Sequence, residues 1–231
     1  MFTNYFKIAL RVLFRNKGYS SINIFGLAVG MACSMLILLW VLDELSYDRF
    51  HEDAEDIYRV EEDQFYSGRT FHVTVTPHPV GPAFKEEIPE IIDATRFNYL
   101  GSLLLRHGEA SFYESGIAAT DPSFFQMFSF PFVKGDPVTA LNDPYSLVIT
   151  EEMAEKHFAG VDPMGQLVTI NNQYEMIVRG VIEDVPGNTY FQFDMLVPFE
   201  FMRVMGRYQE SWGSNSIRST VCCFGQPPRR S

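Results

Sequence analysis

The sequence predicts an α+β extracytoplasmic domain of mixed strands and short helices, in two subdomains, anchored by one N-terminal transmembrane helix. Three observations support this fold class. Residues 21–42 carry no charge, the charge of the chain changes sign across them, and the segment that follows alternates between strand-like and helix-like patterns. Strands with interspersed short helices indicate an α+β domain rather than a regular βαβ stack.

The uncharged run at residues 21–42 has the length of a membrane-spanning helix. At about 1.5 Å of rise per residue, it spans roughly the 30 Å of a hydrocarbon core. Four basic residues and no acid precede the run, whereas seven acids and one base stand at positions 43–56. Because basic residues are retained on the cytoplasmic side, we expect the N-terminus inside and residue 43 onward outside.

Two other interpretations of this run are weaker. A secretory signal peptide has an apolar core of about 7–15 residues followed by a small-residue cleavage site, whereas this run is longer and ends in Leu-Leu-Trp-Val-Leu. Cys33 follows Gly-Met-Ala, without the branched apolar residue that usually precedes a lipoprotein cleavage site. A buried helix of a soluble protein does not explain the opposite charges on the two flanks. We therefore expect a retained anchor at residues 19–42.

Residues 1–18 are predicted to form an amphipathic helix in the cytoplasmic headgroup layer. Apolar residues recur at helical spacing on one face, while Lys7, Arg11 and Arg15 follow one another every four residues on another. Each such cation contributes about 1 kcal/mol of attraction to anionic lipid. The alternative is a simple topogenic flank, which needs the charges but not their spacing. We expect Gly18 to end this helix.

The composition of residues 43–216 excludes several classes of protein. The segment holds 11 basic and 29 acidic residues, and such an acidic surface repels phosphate backbones, so we expect no nucleic-acid partner. It contains no cysteine, so no disulfide framework supports it. Cys222 and Cys223 are adjacent, which suits neither a disulfide nor a metal site.

Periodicity places the elements of this segment. Alternating apolar residues predict strands at 57–65, 71–75, 103–106, 111–117, 146–149, 166–170, 174–182 and 195–198. Helical spacing predicts short helices after Pro79, at 122–128 and at 151–158, with Asp121 and Thr150 as N-caps of the last two. Residues 217–231 show neither the alternation of a strand nor the spacing of a helix. They contain a Cys pair, a Pro pair and three arginines. We expect them to be an irregular tail or the product of a shifted reading frame.

Motifs that carry chemistry are missing from the sequence. It has no G-x-x-x-x-G-K-[ST] loop for nucleotide phosphates, no G-x-S-x-G elbow and no H-E-x-x-H pair. For His72 and His78, six residues apart, a solvated or hydrogen-bonded role is favoured over metal ligation. We therefore predict no catalytic, cofactor-binding or metal-binding residues and no enzymatic activity.

An ordered series of motifs nevertheless resembles a known family. It comprises Asn23-Ile24-Phe25-Gly26-Leu27-Ala28-Val29-Gly30, Asp121-Pro122-Ser123-Phe124-Phe125, Val148-Ile149-Thr150-Glu151, Asp162-Pro163-Met164-Gly165 and Gly180-Val181-Ile182-Glu183-Asp184-Val185-Pro186. In these motifs, over about residues 1–216, the chain resembles the MacB-like, FtsX-like permeases of ABC transporters, including their periplasmic core domain.

The resemblance implies a permease subunit of an ABC-type export or mechanotransmission system in the cell inner membrane. It implies membrane lipid, a cytoplasmic ABC ATPase that binds the ATP, a second permease in a homo- or heterodimer, and a periplasmic adaptor or lipoprotein as partners. The chain itself then needs no cofactor. Such permeases have four membrane helices and this chain has one, so we expect a truncated permease. The alternative is a single-pass, membrane-anchored ligand-binding or adaptor protein without transport activity.

Overall fold

The apolar run lies in a long helix of the structure, a computed structural model that describes residues 2–212 and 218–225. The helices are α1 (Phe2–Arg15), α2 (Lys17–Ser46), α3 (Val80–Glu87), α4 (Phe124–Met127), α5 (Glu151–Phe158) and α6 (Phe201–Val204). The chain divides into two units, one up to Tyr47 and one from Asp48 onward. The expected division of the second unit into two subdomains stays a prediction.

In the first unit, α1 and α2 are separated by Asn16 alone. Among the described residues, α2 is the one helix long and apolar enough to cross a membrane. Its large side chains are exposed all round, with Leu36, Leu39 and Trp40 at 66%, 62% and 65%. A helix that is apolar on every side requires an apolar surrounding. Gly18 lies inside α2, so the prediction that it ends the first helix is wrong.

The second unit is built on a mixed sheet. Its strands are β1 (Ile57–Arg59), β2 (Glu62–Tyr66), β3 (Arg69–Val73), β4 (Thr76–Pro77), β5 (Ile91–His107), β6 (Ala110–Thr120), β7 (Phe132–Gly135), β8 (Ser146–Thr150), β9 (Leu167–Ile170), β10 (Tyr174–Ile182), β11 (Met195–Pro198) and β12 (Arg218–Gly225). The main order is β1-β12-β5-β6-β11-β8-β10-β7, with β4 beside β12 and β9 beside β5 and β10, whereas β2 and β3 form a separate ribbon.

Each face of the sheet carries its own apolar cluster. Successive residues of a strand point to opposite faces, so one strand contributes to both clusters. In β8, Leu147 and Ile149 belong to one apolar cluster, whereas Val148 belongs to the other. In β11, Met195 and Leu196 divide in the same way. The first cluster also contains α5 and α6 side chains, and the second is rich in phenylalanine from the α4 region.

Most predicted strands and helices are present, with changed bounds. The predicted strand 57–65 is two strands, β1 and β2, and the predicted strand 103–106 is only the end of β5, which begins at Ile91. Thr150 caps α5 as predicted, because its Oγ1 accepts a hydrogen bond from the Met153 backbone N–H at 3.3 Å. The N-cap of α4 is Ser123 rather than Asp121, so that prediction is wrong.

The end of the sheet contains the largest departure from the sequence prediction. Arg218–Gly225 form β12, which lies between β1 and β5, and Val221 is completely buried. The prediction of an irregular tail is therefore wrong for these eight residues. The remaining predicted tail residues, 217 and 226–231, lie outside the described residues.

Candidate functional site

The described residues contain no group of three or more His, Cys, Asp or Glu side chains placed to hold a metal ion. The absence of catalytic, cofactor and metal residues stays a prediction. A group of long-range polar contacts lies at the start of the second unit. We call residues 48–52, which follow the end of α2 at Ser46, the junction segment.

Asp48 ties the junction segment to the loop between β10 and β11. Its backbone N–H donates to the carbonyl of Asn188 at 3.0 Å. Its carboxylate Oδ1 accepts from the Thr189 hydroxyl at 2.5 Å and from the Tyr190 backbone N–H at 3.0 Å. Asp48 has φ 55°, the left-handed region that Asp tolerates better than most residues. This conformation is held in place by all three bonds.

His51 and Glu52 tie the same segment to a second loop, between α4 and β7. The Ser129 backbone N–H donates to His51 Nδ1 at 3.1 Å, and the Glu52 backbone N–H donates to the Ser129 hydroxyl at 3.0 Å. The His51 ring also packs edge-on against Phe128 and Phe130, with ring centroids 5.0 and 5.3 Å away. The junction segment is therefore joined to two loops by five hydrogen bonds.

The Ser129 contact fixes the tautomer of His51. Because Nδ1 accepts a hydrogen bond, the proton of the neutral ring is on Nε2. This Nε2 is buried and has no hydrogen-bond partner among the described residues, and the closest carboxylate oxygen, Asp48 Oδ1, is 3.9 Å away. Burial lowers the pKa of His51, and the Asp48 charge opposes this effect in part. Nε2 of the neutral His51 ring is thus a donor with no acceptor in the part of the chain that the structure describes.

A cavity of about 300 Å³ is lined in part by the junction segment. Asp48, His51, Phe128 and Phe191 are among its lining residues. At its polar side, the Arg59 guanidinium pairs with Glu61 at 3.0 Å and lies 5.1 Å from the centre of the Tyr190 ring. Its volume is at the lower end of the range for small-molecule sites.

A second polar cluster is centred on Arg96 of β5. Arg96 donates two hydrogen bonds to the Asp121 carboxylate, at 2.6 and 2.8 Å, and a third to the His78 carbonyl at 3.2 Å. The guanidinium also lies 4.0 Å from the centre of the Phe199 ring. Burial, followed by the charge of Arg96, lowers the pKa of His78 to about 4. His78 is buried and accepts from the Gln209 backbone N–H, whereas His72 is exposed and pairs with Asp63.

Neither cluster was predicted as a site from the sequence. Asp121 was predicted as a helix cap. The contacts join residues 77 and 141 positions apart, and such distances leave no local periodicity. One local signal was present in the sequence. Asp48 and His51 are three residues apart and follow closely on the apolar helix α2.

Comparison with known proteins identifies the family. Residues 20–221 match the family model of the MacB-like periplasmic core domain. Among solved structures, the chain is similar to a domain of a permease protein from Porphyromonas gingivalis, with a TM-score of 0.66 and 24% identity over 77% of this chain and 76% of that one. It is also similar to the periplasmic region of MacB from Actinobacillus actinomycetemcomitans, with a TM-score of 0.53 and 15% identity over 78% of each chain.

A comparison with curated proteins gave no match. At the identities found, the two solved structures establish the fold, and the family rests on the match over residues 20–221. That match includes all but the first three residues of α2, and it continues through the first half of β12. The chain belongs to the family of the MacB-like periplasmic core domain, which is part of ABC-type permeases.

Proposed function

We propose that the chain is a permease subunit of an ABC-type export or mechanotransmission system. Its α1 lies at the cytoplasmic surface of the inner membrane, α2 crosses the membrane, and the unit from Asp48 onward works outside, where it couples to a substrate or an envelope partner. ATP is bound by a separate cytoplasmic ATPase, and the chain itself carries out no catalysis. A second permease completes the assembly.

The junction segment is the observation that supports this proposal. A domain that only needs tethering to a membrane can follow its anchor through a loose linker, and then movement of the anchor is lost in the linker. Here the domain begins two residues after α2 ends, and five hydrogen bonds tie those first residues to two loops. Each contributes about 1 kcal/mol. A movement of the junction segment would therefore also move both loops.

The test uses the full chain in lipid nanodiscs with the ABC ATPase encoded beside its gene. A spin label at Glu109→Cys in a Cys33→Ala background reports movement of the second unit, because Glu109 is an exposed residue between β5 and β6. We expect the ATPase to co-purify and trapped ATP to change the distance between labels on two copies. The double variant Ser129→Ala/Thr189→Val removes the two hydroxyl groups that take part in the junction contacts. It should reduce the change in distance while the ATPase stays bound.

The matched control is Asp162→Ala, which removes an exposed ion pair with Lys134 and should leave the movement intact. Failure of the chain to bind any such ATPase would contradict the proposal, as would unchanged movement in the double variant. The cavity at the junction favours the second candidate, a membrane-anchored ligand-binding or adaptor protein. Ligand binding without ATPase binding would support that candidate.

A further inference from the structure

We propose that the free edge of β1 pairs with an extended segment of a partner protein, which adds one strand to the main sheet. The segment places consecutive apolar side chains in two cavities on opposite faces of β1, and it carries Lys or Arg at both ends. This inference goes beyond the proposed function, which names an envelope partner but assigns no surface to it.

The strand β1 lies at one end of the main sheet. It pairs with β12 in antiparallel register, and no other described strand pairs with it. The Val60 backbone N–H donates to the Val221 carbonyl at 2.9 Å, so the alternation of an antiparallel ladder places the next bonded pair at Tyr58. The N–H and C=O groups of Ile57 and Arg59 therefore face away from β12. These four groups form an edge of the kind that accepts a further strand.

A cavity flanks β1 on each face. The cavity at the junction segment, the junction cavity, has about 300 Å³ and includes Ile57 and Arg59 in its lining. On the other face, a cavity of about 320 Å³ includes Tyr58 and Val60, and we call it the α3 cavity. The remaining residues of its lining are Phe84, Ile88, Glu90, Ile91, Cys223 and Gly225. A cavity of about 150 Å³ accommodates a benzene ring, so each cavity has room for one large apolar side chain.

The two cavities determine the sequence pattern of the incoming strand. Successive residues of a strand point to opposite faces of the sheet. A residue opposite Tyr58 therefore points to the face of the α3 cavity, and its neighbours, opposite Ile57 and Arg59, point to the face of the junction cavity. Burial raises the pKa of the Cys223 thiol to about 11, so the inner wall of the α3 cavity is uncharged. Three consecutive apolar residues fit this arrangement.

The charges around β1 determine the ends of the segment. Residues 48–62 hold seven acidic and two basic residues, and one of the two bases, Arg59, pairs with Glu61 at 3.0 Å. Glu90 adds a further acid at the α3 cavity. This excess of negative charge favours Lys or Arg on the partner. It disfavours a second copy of this chain at the same edge, because two acidic segments would then lie side by side.

The test measures binding of a fluorescent peptide with blocked ends, Lys-Lys-Leu-Phe-Leu-Lys-Lys, to the full chain in nanodiscs of neutral phosphatidylcholine. Fluorescence anisotropy gives the affinity, and empty nanodiscs correct for binding to lipid. One matched peptide is N-methylated at both Leu residues, which removes the N–H groups that would donate to the edge. The other has Glu in place of every Lys. We expect saturable binding of the first peptide, about tenfold or more tighter than that of either matched peptide.

The variant Arg59→Pro tests the same edge from the side of the protein. Proline removes the outward N–H of residue 59, and an edge strand tolerates proline where its N–H faces outward. Arg59→Thr is the matched control, because it also loses the ion pair with Glu61 but keeps the N–H. We expect Arg59→Pro to bind the peptide about tenfold more weakly than Arg59→Thr does. Equal Tm values of the two variants show that both are folded.

Absence of saturable binding would overturn the proposal. Equal affinity for the N-methylated peptide would also overturn it, because backbone pairing would then have no role, and this comparison stands even if Arg59→Pro does not fold. A disulfide between two copies of Arg59→Cys, in a Cys33→Ala background, that forms equally well with and without peptide would assign the edge to a second copy instead. These measurements need no ATPase, so failure here is distinguishable from failure of the proposed function.

Discussion

Single residues of the second unit illustrate how a buried charge is accommodated. Arg96 lies in the interior, and its guanidinium contacts the Asp121 carboxylate, a backbone carbonyl and the face of Phe199. Each contact replaces part of the hydration that burial removes. The arrangement is stable only while the carboxylate is present, because a buried cation without its partner is costly.

We therefore expect Asp121→Asn to destabilise the second unit by about 3 kcal/mol. The substitution keeps the shape of the side chain but leaves the Arg96 charge uncompensated. Chemical unfolding of the purified chain measures this loss. Asp162→Asn is the matched control, because its ion pair with Lys134 is exposed and such pairs contribute little. Equal effects of the two substitutions would contradict the assignment.

His78 makes the unit sensitive to acid. Its pKa in the folded state is about 4, below the value near 6.5 of an unfolded chain. The unfolded state therefore binds more protons between these values, and stability falls as the pH drops from about 6.5 towards 4. The difference corresponds to about 3 kcal/mol. Burial lowers the pKa of His51 and His157 as well, and both add to the effect.

The variant His78→Phe tests this origin of acid sensitivity. Relative to the original chain, its free energy of unfolding should improve by about 3 kcal/mol between pH 7.5 and pH 4. His72→Phe should show no such improvement, because His72 is exposed. Unfolding curves at both pH values measure the change. An identical pH dependence in all three chains would assign the acid sensitivity to other groups.

For single residues, the sequence predicted roles that depend on near neighbours along the chain and missed those that depend on residues far away in the chain. Thr150 was recognised as a cap because its partner, Met153, is three residues away. The partners of Asp48 and His51 are 141 and 78 residues away, so no spacing rule could find them. Asp121 was assigned to a cap because the residue type fits that role equally well. Only the fold shows that Arg96 lies close to it.

At the scale of elements, β12 shows what composition conceals. Its Arg, Ser and Cys residues do not read as a strand, yet it pairs with β1, β4 and β5. Its central residue, Val221, is completely buried. Strand formation here depends on the partners that surround the segment rather than on its own propensity. The same reason explains β5, whose first twelve residues were not predicted.

A pair of truncations tests the role of β12. A chain that ends at residue 217 should lose cooperative unfolding of the second unit or show a much lower Tm. The reason is that β1 and β5 each lose β12 as a pairing partner. A chain that ends at residue 225 keeps the strand and should unfold like the full chain. Thermal unfolding and limited proteolysis measure both. Equal Tm values for the two chains would mean that β12 contributes nothing to the fold.

At the scale of the whole molecule, the fold class was predictable because it depends on coarse features. An uncharged run of 22 residues, a change of charge sign and mixed periodicity are visible in any single sequence. The order of strands was not predictable. In the observed order, β11 is parallel to β6 and antiparallel to β8. The pattern of apolar and polar residues in each strand is compatible with many other strand orders.

The topology is tested by cysteine labelling in intact cells. In a Cys33→Ala background, we expect an impermeant maleimide to label Glu109→Cys but to label Asn4→Cys only after lysis. The two native cysteines of β12 should stay unlabelled, because they are buried and burial raises the thiol pKa to about 12 at Cys222 and about 11 at Cys223. Labelling of Asn4→Cys from outside would reverse the proposed orientation.

The pairing of β1 with β12 also affects biosynthesis. The two strands face each other in register, yet β12 is translated roughly 160 residues later, which takes about 8–30 s at ordinary rates of elongation. During that interval α2 has already emerged and β1 waits with an unpaired edge, the kind of edge that attracts other chains. A nascent chain of this design therefore depends on its surroundings, either the translocation channel or a holding chaperone, until its last strand arrives.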